Sequence, residues 1–307
     1  MDLFQKIKDF KMKQGNMIKD CSIKSYVIIC NKIHGSNDYT NLDFLEDEEN
    51  VMNFVNSFSK LNTRKNYLSG VIVALESDGR DNSNYKKIKS KMEEDYSNFI
   101  KLNKKTETQE KNWFSVDELK KIVNDLGEKV LDKDIFDAGA LVKKDILLLQ
   151  DYMIGLLYTE MLPVRLDFAP MFVVRGEQDL TRSNDHNYLV LGEDKKFFIL
   201  NQFKNSKIMG RVRMDIPPRL SRTIDVWLKH NHTGYFLINS RGGPLSENGL
   251  GKIIKRIFTK DGKSATVNII RHIFETENIN LPRRKREQEF AKKMLHSDSM
   301  QLQYAKF

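Results

Sequence analysis

Apolar residues recur at helical spacing through the first third of the chain. Val51, Phe54, Val55 and Phe58 follow the i, i+3, i+4, i+7 rule, and Tyr67, Val71 and Leu75 continue it beyond the polar run Asn62, Thr63, Arg64, Lys65. This pattern predicts a small helical bundle. Residues 103–111 then contain no apolar side chain, which marks them as a linker. Ser115 and Glu118 form a Ser-x-x-Glu capping box ahead of the stripe Leu119, Ile122, Val123 and Leu126, so a new helix opens there. A strongly apolar stretch predicts a long buried helix over 134–160. After Pro163 the pattern changes to short runs rich in β formers at 168–174, 188–191, 197–202 and 211–216, broken by Gly192-Glu193-Asp194 and by the polar run 205–210. Helical periodicity resumes over 220–228, 247–258, 265–277 and 287–295. The expected fold is mainly α with a small antiparallel β-sheet (α+β), in two domains, 1–105 and 106–307.

Length agrees with that division, since 307 residues suffice for about two domains of ~100–200 residues each. Lys and Arg number 51 against 42 Asp and Glu, a formal charge of +9, which favours a polyanionic partner: nucleic acid first, an anionic membrane surface second. Cys21 and Cys30 are the two cysteines, too few for a disulfide framework or a cysteine zinc site, and they suit a reducing compartment. The N-terminus mixes apolar and charged residues unlike a signal peptide, and charges interrupt the apolar stretch at Asp151 and Glu160, so neither export nor a membrane span is expected. No Gly-x-x-x-x-Gly-Lys-Ser/Thr loop and no Gly-x-Gly-x-x-Gly fingerprint occurs, which disfavours ATP-driven chemistry. Glu46-Asp47-Glu48-Glu49 reads as the acidic start of a helix rather than a metal site, because four adjacent acids cannot converge on one ion. The methionines at 153, 161, 171, 209 and 214 read as core or loop filler, and His34, His186, His230 and His232 as loop or surface residues.

The informative residues are cations beside turns and helix starts. Arg165 follows the apolar helix, with Asp167 two residues on to fix it. Lys204 opens the turn Lys204-Asn205-Ser206-Lys207 after a strand, Arg271 and His272 lie within a helix, and His296 precedes Tyr304. Singly, each has an ordinary explanation: a surface salt bridge, a solvated lysine, an exposed tyrosine. Their order and flanking residues are the signal. Leu-Pro-Val-Arg-Leu-Asp (162–167), Asn-Gln-Phe-Lys-Asn-Ser-Lys (201–207), Asp-Ile-Pro-Pro (215–218), Phe-Leu-Ile-Asn-Ser-Arg-Gly-Gly-Pro-Leu-Ser (236–246), Ile-Ile-Arg-His-Ile-Phe-Glu-Thr (269–276) and Met-Leu-His-Ser-Asp-Ser-Met-Gln-Leu-Gln-Tyr (294–304) together resemble the boxes of the tyrosine recombinase (phage integrase) family. Asn-Trp-Phe-Ser-Val-Asp-Glu-Leu (112–119) is similar to the catalytic-domain opening in recombinases of mobile elements and large DNA viruses of eukaryotes. The likeness runs from about Trp113 to Tyr304, and the first domain resembles the family's helical core-binding domain only in pattern.

The resemblance implies a two-domain C-clamp, a helical core-binding domain plus a catalytic domain, that cleaves and rejoins double-stranded DNA without a cofactor. Tyr304 would be the nucleophile, conserving the bond energy in a 3′-phosphotyrosyl link. Arg165 and Arg271 would clamp the non-bridging oxygens as charge builds on them. Lys204, with Lys207 second, would protonate the leaving 5′-oxygen, and His296 would bind phosphate or assist proton movement. Implied with this are a homotetramer on two DNA sites, no membrane, and an intracellular location, nuclear or in a viral factory in a eukaryotic host and otherwise cytoplasmic. Two positions depart from the pattern. Asn268 stands where the family has a histidine; it can donate to phosphate but is no acid or base near neutral pH, and His272 could compensate. The sequence also runs only three residues past Tyr304, so assembly uses contacts other than the family's C-terminal helix or the natural chain is longer. Two rival readings are a type IB topoisomerase-like relaxing enzyme and a catalytically impaired DNA-binding descendant. Further candidate DNA contacts are Arg64, Lys65, Arg241 and the cluster Arg283, Arg284, Lys285, Arg286, the last also compatible with a nuclear address or a solvated loop.

Overall fold

The computed structural model describes residues 2–16, 18–176 and 185–294. The chain divides into two compact units, Met1–Lys104 and Lys105–Phe307. The first is all helical: α1 (Leu3–Lys13), α2 (Asp20–His34), a single 3-10 turn (Asp43–Leu45), α3 (Glu48–Asn56), α4 (Leu61–Ser77) and α5 (Ser83–Lys101). The run 62–65 is thus the first turn of α4. That helix is the centre of the bundle, burying Leu68, Val71, Ala74 and Leu75 against Ile7, Ile23, Cys30, Leu45 and Val55. Gly70 permits the approach of α2, because a Cβ there would lie 2.9 Å from Ile29. The acidic run does cap a helix, with Asp47 at the N-cap of α3 accepting from the Asn50 N–H.

The second unit holds α6 (Glu107–Lys111), α7 (Val116–Leu131), α8 (Lys143–Thr159), β1 (Met171–Val174), β2 (Asn187–Leu191), β3 (Lys196–Leu200), α9 (Ser206–Met209), β4 (Val212–Asp215), α10 (Pro218–His230), α11 (Glu247–Ile257), the two-stranded β5 (Thr259–Lys260) and β6 (Lys263–Ser264), α12 (Val267–Asn278) and α13 (Leu281–Lys293). The Ser115/Glu118 capping box forms as expected. A second box, Thr106 with Gln109, makes a helical turn of the end of the predicted linker, where polarity alone suggested none. The apolar helix starts at 143 rather than 134, because Asp134 takes a left-handed conformation (φ 49°) that breaks the run while Ile135 stays buried. The basic cluster 283–286 lies in α13 rather than in a loop.

Helix α8 is the pillar of this unit, with every residue from Leu149 to Thr159 buried. Two glycines let α7 lie close to it: a Cβ at Gly155 would meet Val123 at 2.9 Å, and one at Gly127 would meet Tyr152 at 2.9 Å. No helix among the described residues is long and apolar enough to cross a membrane.

The four-stranded sheet runs in the order β1-β2-β3-β4. It is mixed, which corrects the antiparallel expectation. β2–β3 and β3–β4 are antiparallel, whereas β1 pairs parallel to β2, with Met171 opposite Asn187. The reason lies in connection length, since a parallel neighbour needs roughly a dozen residues to return and residues 175–186 supply them. Alternation sends Leu189, Phe198 and Leu200 into the main core, and Tyr188, Val190, Phe197 and Ile199 to a second apolar cluster on the other face. With both faces apolar, the register is strongly specified. The architecture is α+β, mainly helical, with the site residues at the margins of this sheet and on α12.

Candidate active site

Three side chains of α8 organise what surrounds it. Gln150 brackets the main chain of Ile238, donating to its carbonyl (3.0 Å) and accepting its N–H (2.8 Å), which holds the 236–246 segment in place. Asp151 receives a bidentate pair from Arg256 of α11 at 2.7 and 2.8 Å. Tyr158, fully buried, donates its hydroxyl to the carbonyl of Arg165 at 2.6 Å and so fixes the backbone that carries the first candidate arginine.

The Arg165 side chain is half-buried and makes no hydrogen bond or ion pair among the described residues, so the salt bridge expected with Asp167 does not form. Asp167 acts otherwise. Burial pushes its carboxyl up, offset by the main-chain N–H and the charge of Arg165 and by its own N–H, while Glu247 at the start of α11 adds to the rise. Arg271, on α12, is also half-buried with no hydrogen bond or ion pair among the described residues. The two arginines belong to one neighbourhood: Tyr158, whose hydroxyl meets the Arg165 carbonyl, is pushed up by burial and by the Asp167 charge and pulled down by Arg271. Half-burying a guanidinium costs desolvation that an ion pair usually offsets. Two such groups in one neighbourhood, with the half-buried Asp167 carboxyl the acid that feels the charge of Arg165, make a place where a bound anion would add counter-charge.

The strand end that leads to Lys204 is tied to the Arg165 segment through Asn187. That residue, 2% exposed on β2, uses its full hydrogen-bonding capacity: it donates to the carbonyls of Asp167 and Gln202 (both 2.9 Å) and accepts from the N–H groups of Asn201 (2.9 Å) and Gln202 (2.8 Å). One amide therefore ties the Arg165 segment to the strand end that leads into Lys204. Asn201 extends the tie, donating to the His186 carbonyl and accepting from Arg211 Nε at 3.0 Å. Lys204 itself is exposed and, among the described residues, has no ion-pair partner. The expected polar turn after it is the short helix α9, and Lys207 is exposed there.

Other candidates fall out variously. Asn268 and His272 are exposed on α12, spaced i−3 and i+1 from Arg271, so Asn268 shares the arginine's side of the helix. His296 and Tyr304 lie outside the described residues, as do the side chains of Arg284 and Lys285. Arg64 is occupied structurally, its guanidinium donating to the carbonyls of Phe58 (2.6 Å) and Asn56 (3.2 Å) at the end of α3. Lys65 lies over the Tyr96 ring. Arg241 is exposed at the tip of the 239–243 turn, Arg283 pairs with Glu287, and Arg286 is exposed. Sequence reasoning missed Asn187, Tyr158 and Gln150. The one available signal for Asn187 was a polar residue opening a strand otherwise fully apolar.

Chemically, two arginines without hydrogen-bond or ion-pair partners among the described residues and an exposed lysine, on segments tied through Tyr158 and Asn187, suit a phosphate diester whose charge grows during reaction. Among the described residues no group of three or more His, Cys, Asp or Glu could hold a metal ion. No protein-family model and no curated protein matches the chain.

Proposed function

We propose that this protein is a tyrosine-type site-specific DNA recombinase. The observation that carries the reading is that two half-buried arginines, each without a hydrogen bond or ion pair among the described residues, both neighbour Tyr158, Arg165 through its main-chain carbonyl and Arg271 through its charge. The order of boxes along the sequence supports the same reading. In this scheme the Tyr304 oxygen attacks the scissile phosphorus as the P–O5′ bond breaks. The phenol proton leaves through His296, Lys204 gives a proton to the departing 5′-oxygen, and a 3′-phosphotyrosyl link forms with no net hydrolysis. Arg165 and Arg271 clamp the non-bridging oxygens, and Asn268 donates to one of them. The reverse attack by a 5′-hydroxyl of the partner duplex rejoins the strands. In this scheme each unit contacts duplex DNA, and four chains act on two sites.

The test is covalent trapping. The protein is incubated in EDTA with nicked duplexes and denatured, and protein-linked DNA is sought, with Tyr304→Phe and Arg271→Ala alongside. A band absent from Tyr304→Phe and reduced at least about 100-fold in Arg271→Ala supports the mechanism. A band that persists in Tyr304→Phe overturns it. Relaxation of supercoils without strand exchange would move the reading to a topoisomerase.

A further inference from the structure

The connection from β3 to β4 exposes apolar surface that the fold leaves uncovered. Ile208 is 89% exposed and Met209 63%, and Ile208 is the most exposed of the large apolar side chains recorded among the described residues. The turn that carries them is well ordered by hydrogen bonds. Ile208 N–H and Met209 N–H both donate to the Asn205 carbonyl at 3.0 Å, and Gly210 N–H donates to Ser206 at 2.8 Å. Gly210 supplies the left-handed φ of 69° that turns the chain back into β4. Below the tip, Asn201, Gln202, Ser206, Lys207, Gly210 and Arg211 line a depression of about 340 Å³. No acidic residue occurs from 201 to 214, while Lys204, Lys207, Arg211 and Arg213 all do.

We infer that this turn is a DNA wedge: Ile208 and Met209 enter a groove and unstack one base-pair step while Lys207 holds a flanking phosphate and Lys204 stays at the scissile one. The inference rests on the DNA reading above and adds to it a mode of deforming the duplex. An apolar pair on a hydrogen-bonded turn, beside cations and amides, has the chemistry of side chains that part stacked bases, where the cost of unstacking is repaid by closer contact. Charge selects the partner, since the exposed Lys204 and Lys207 beside the apolar pair complement a phosphate backbone, although Arg213 further along is paired with Asp215. Two apolar side chains on a four-residue helix offer little area to anchor in a bilayer.

The experiment uses the full chain with duplexes of about 40 base pairs, each carrying one 2-aminopurine, placed either in a T-A step, which unstacks readily, or in a G·C-rich context. Wild type is expected to raise the 2-aminopurine fluorescence several-fold at T-A steps. The double variant Ile208→Ser, Met209→Ser should lose that rise while keeping the wild-type slope of affinity against salt, because its phosphate contacts are intact. Both positions are exposed, so the fold is preserved, which the tryptophan emission checks. Salt-dependent binding with silent 2-aminopurine in every duplex, or an unchanged rise in the double variant, overturns the wedge and leaves the DNA reading standing. Failure of wild type to bind any duplex overturns both. Co-flotation with phosphatidylserine vesicles that is lost in the double variant, together with silent DNA, reassigns the tip to a membrane surface.

Discussion

Removing the Asn187 amide tests whether one buried side chain holds the candidate site together. Asn187→Ala strands four main-chain groups: the carbonyls of Asp167 and Gln202 and the N–H groups of Asn201 and Gln202. Each net hydrogen bond is worth about 0.5–1.5 kcal/mol, so the four sum to roughly 2–6. Gln202 is exposed and water can reach its groups, whereas Asn201 is 6% exposed and cannot be rehydrated without opening the fold. The expected loss is therefore in the lower half, about 2–4 kcal/mol. Asn187→Asp keeps the oxygen that accepts both N–H groups but turns a carboxylate oxygen toward two carbonyls, so it should cost at least as much. Urea unfolding followed by tryptophan fluorescence is well placed to measure this. Both tryptophans, Trp113 and Trp227, belong to the second unit, and Trp227 is fully buried with its indole N–H on the Phe236 carbonyl at 2.8 Å. The signal thus reports that unit without mixing in the helical bundle, which keeps a two-state treatment defensible. A loss below about 0.5 kcal/mol for Asn187→Ala, or a milder effect for Asn187→Asp, would refute the view that this amide is a structural junction.

Two other outcomes are expected. Burial holds the Asp151 carboxyl above the usual carboxylate range in spite of Arg256, whose side chain is 63% exposed and screened by water. The folded chain therefore keeps this proton where the unfolded chain has released it. Ionising Asp151 costs stability, a cost absent below the unfolded pKa and complete once pH passes the folded one. The stability gap between Asp151→Asn and wild type should accordingly shift in favour of the variant from about pH 4 to about pH 7, and a gap constant with pH in parallel urea melts would contradict this. The two cysteines should also separate cleanly. Burial pushes the Cys30 thiol up to about 12 and Cys21 is exposed, so a thiol reagent should titrate one group in native protein and two in denaturant; rapid native reaction of both would show the α2 core to be open.

Local structure was legible where its cause spans three or four residues. The Ser115/Glu118 box, the stripe of α7 and the strands β2 and β3 all follow from neighbours in sequence, because capping and periodicity are short-range properties. The same locality explains the errors. A polar segment at 103–111 hid the Thr106 box, and a buried Ile135 extended an apolar pattern past a break at Asp134. Candidate phosphate ligands were also legible as residue types in order, since cations beside turns can be found without knowing what faces them.

What faces them was decided by tertiary structure. Arg64 and Arg165 look alike in sequence, yet the first spends its guanidinium on the carbonyls that end α3 while the second makes no side-chain hydrogen bond or ion pair among the described residues. The parallel pairing of β1 with β2, the position of Tyr158 between the Arg165 carbonyl and the charge of Arg271, and the four bonds of Asn187 each join residues 7 to more than 100 positions apart. Periodicity determines which face of an element is apolar and thereby that it will be buried. It does not determine which buried polar group meets which, because that depends on the unique packing in which all such groups are satisfied at once.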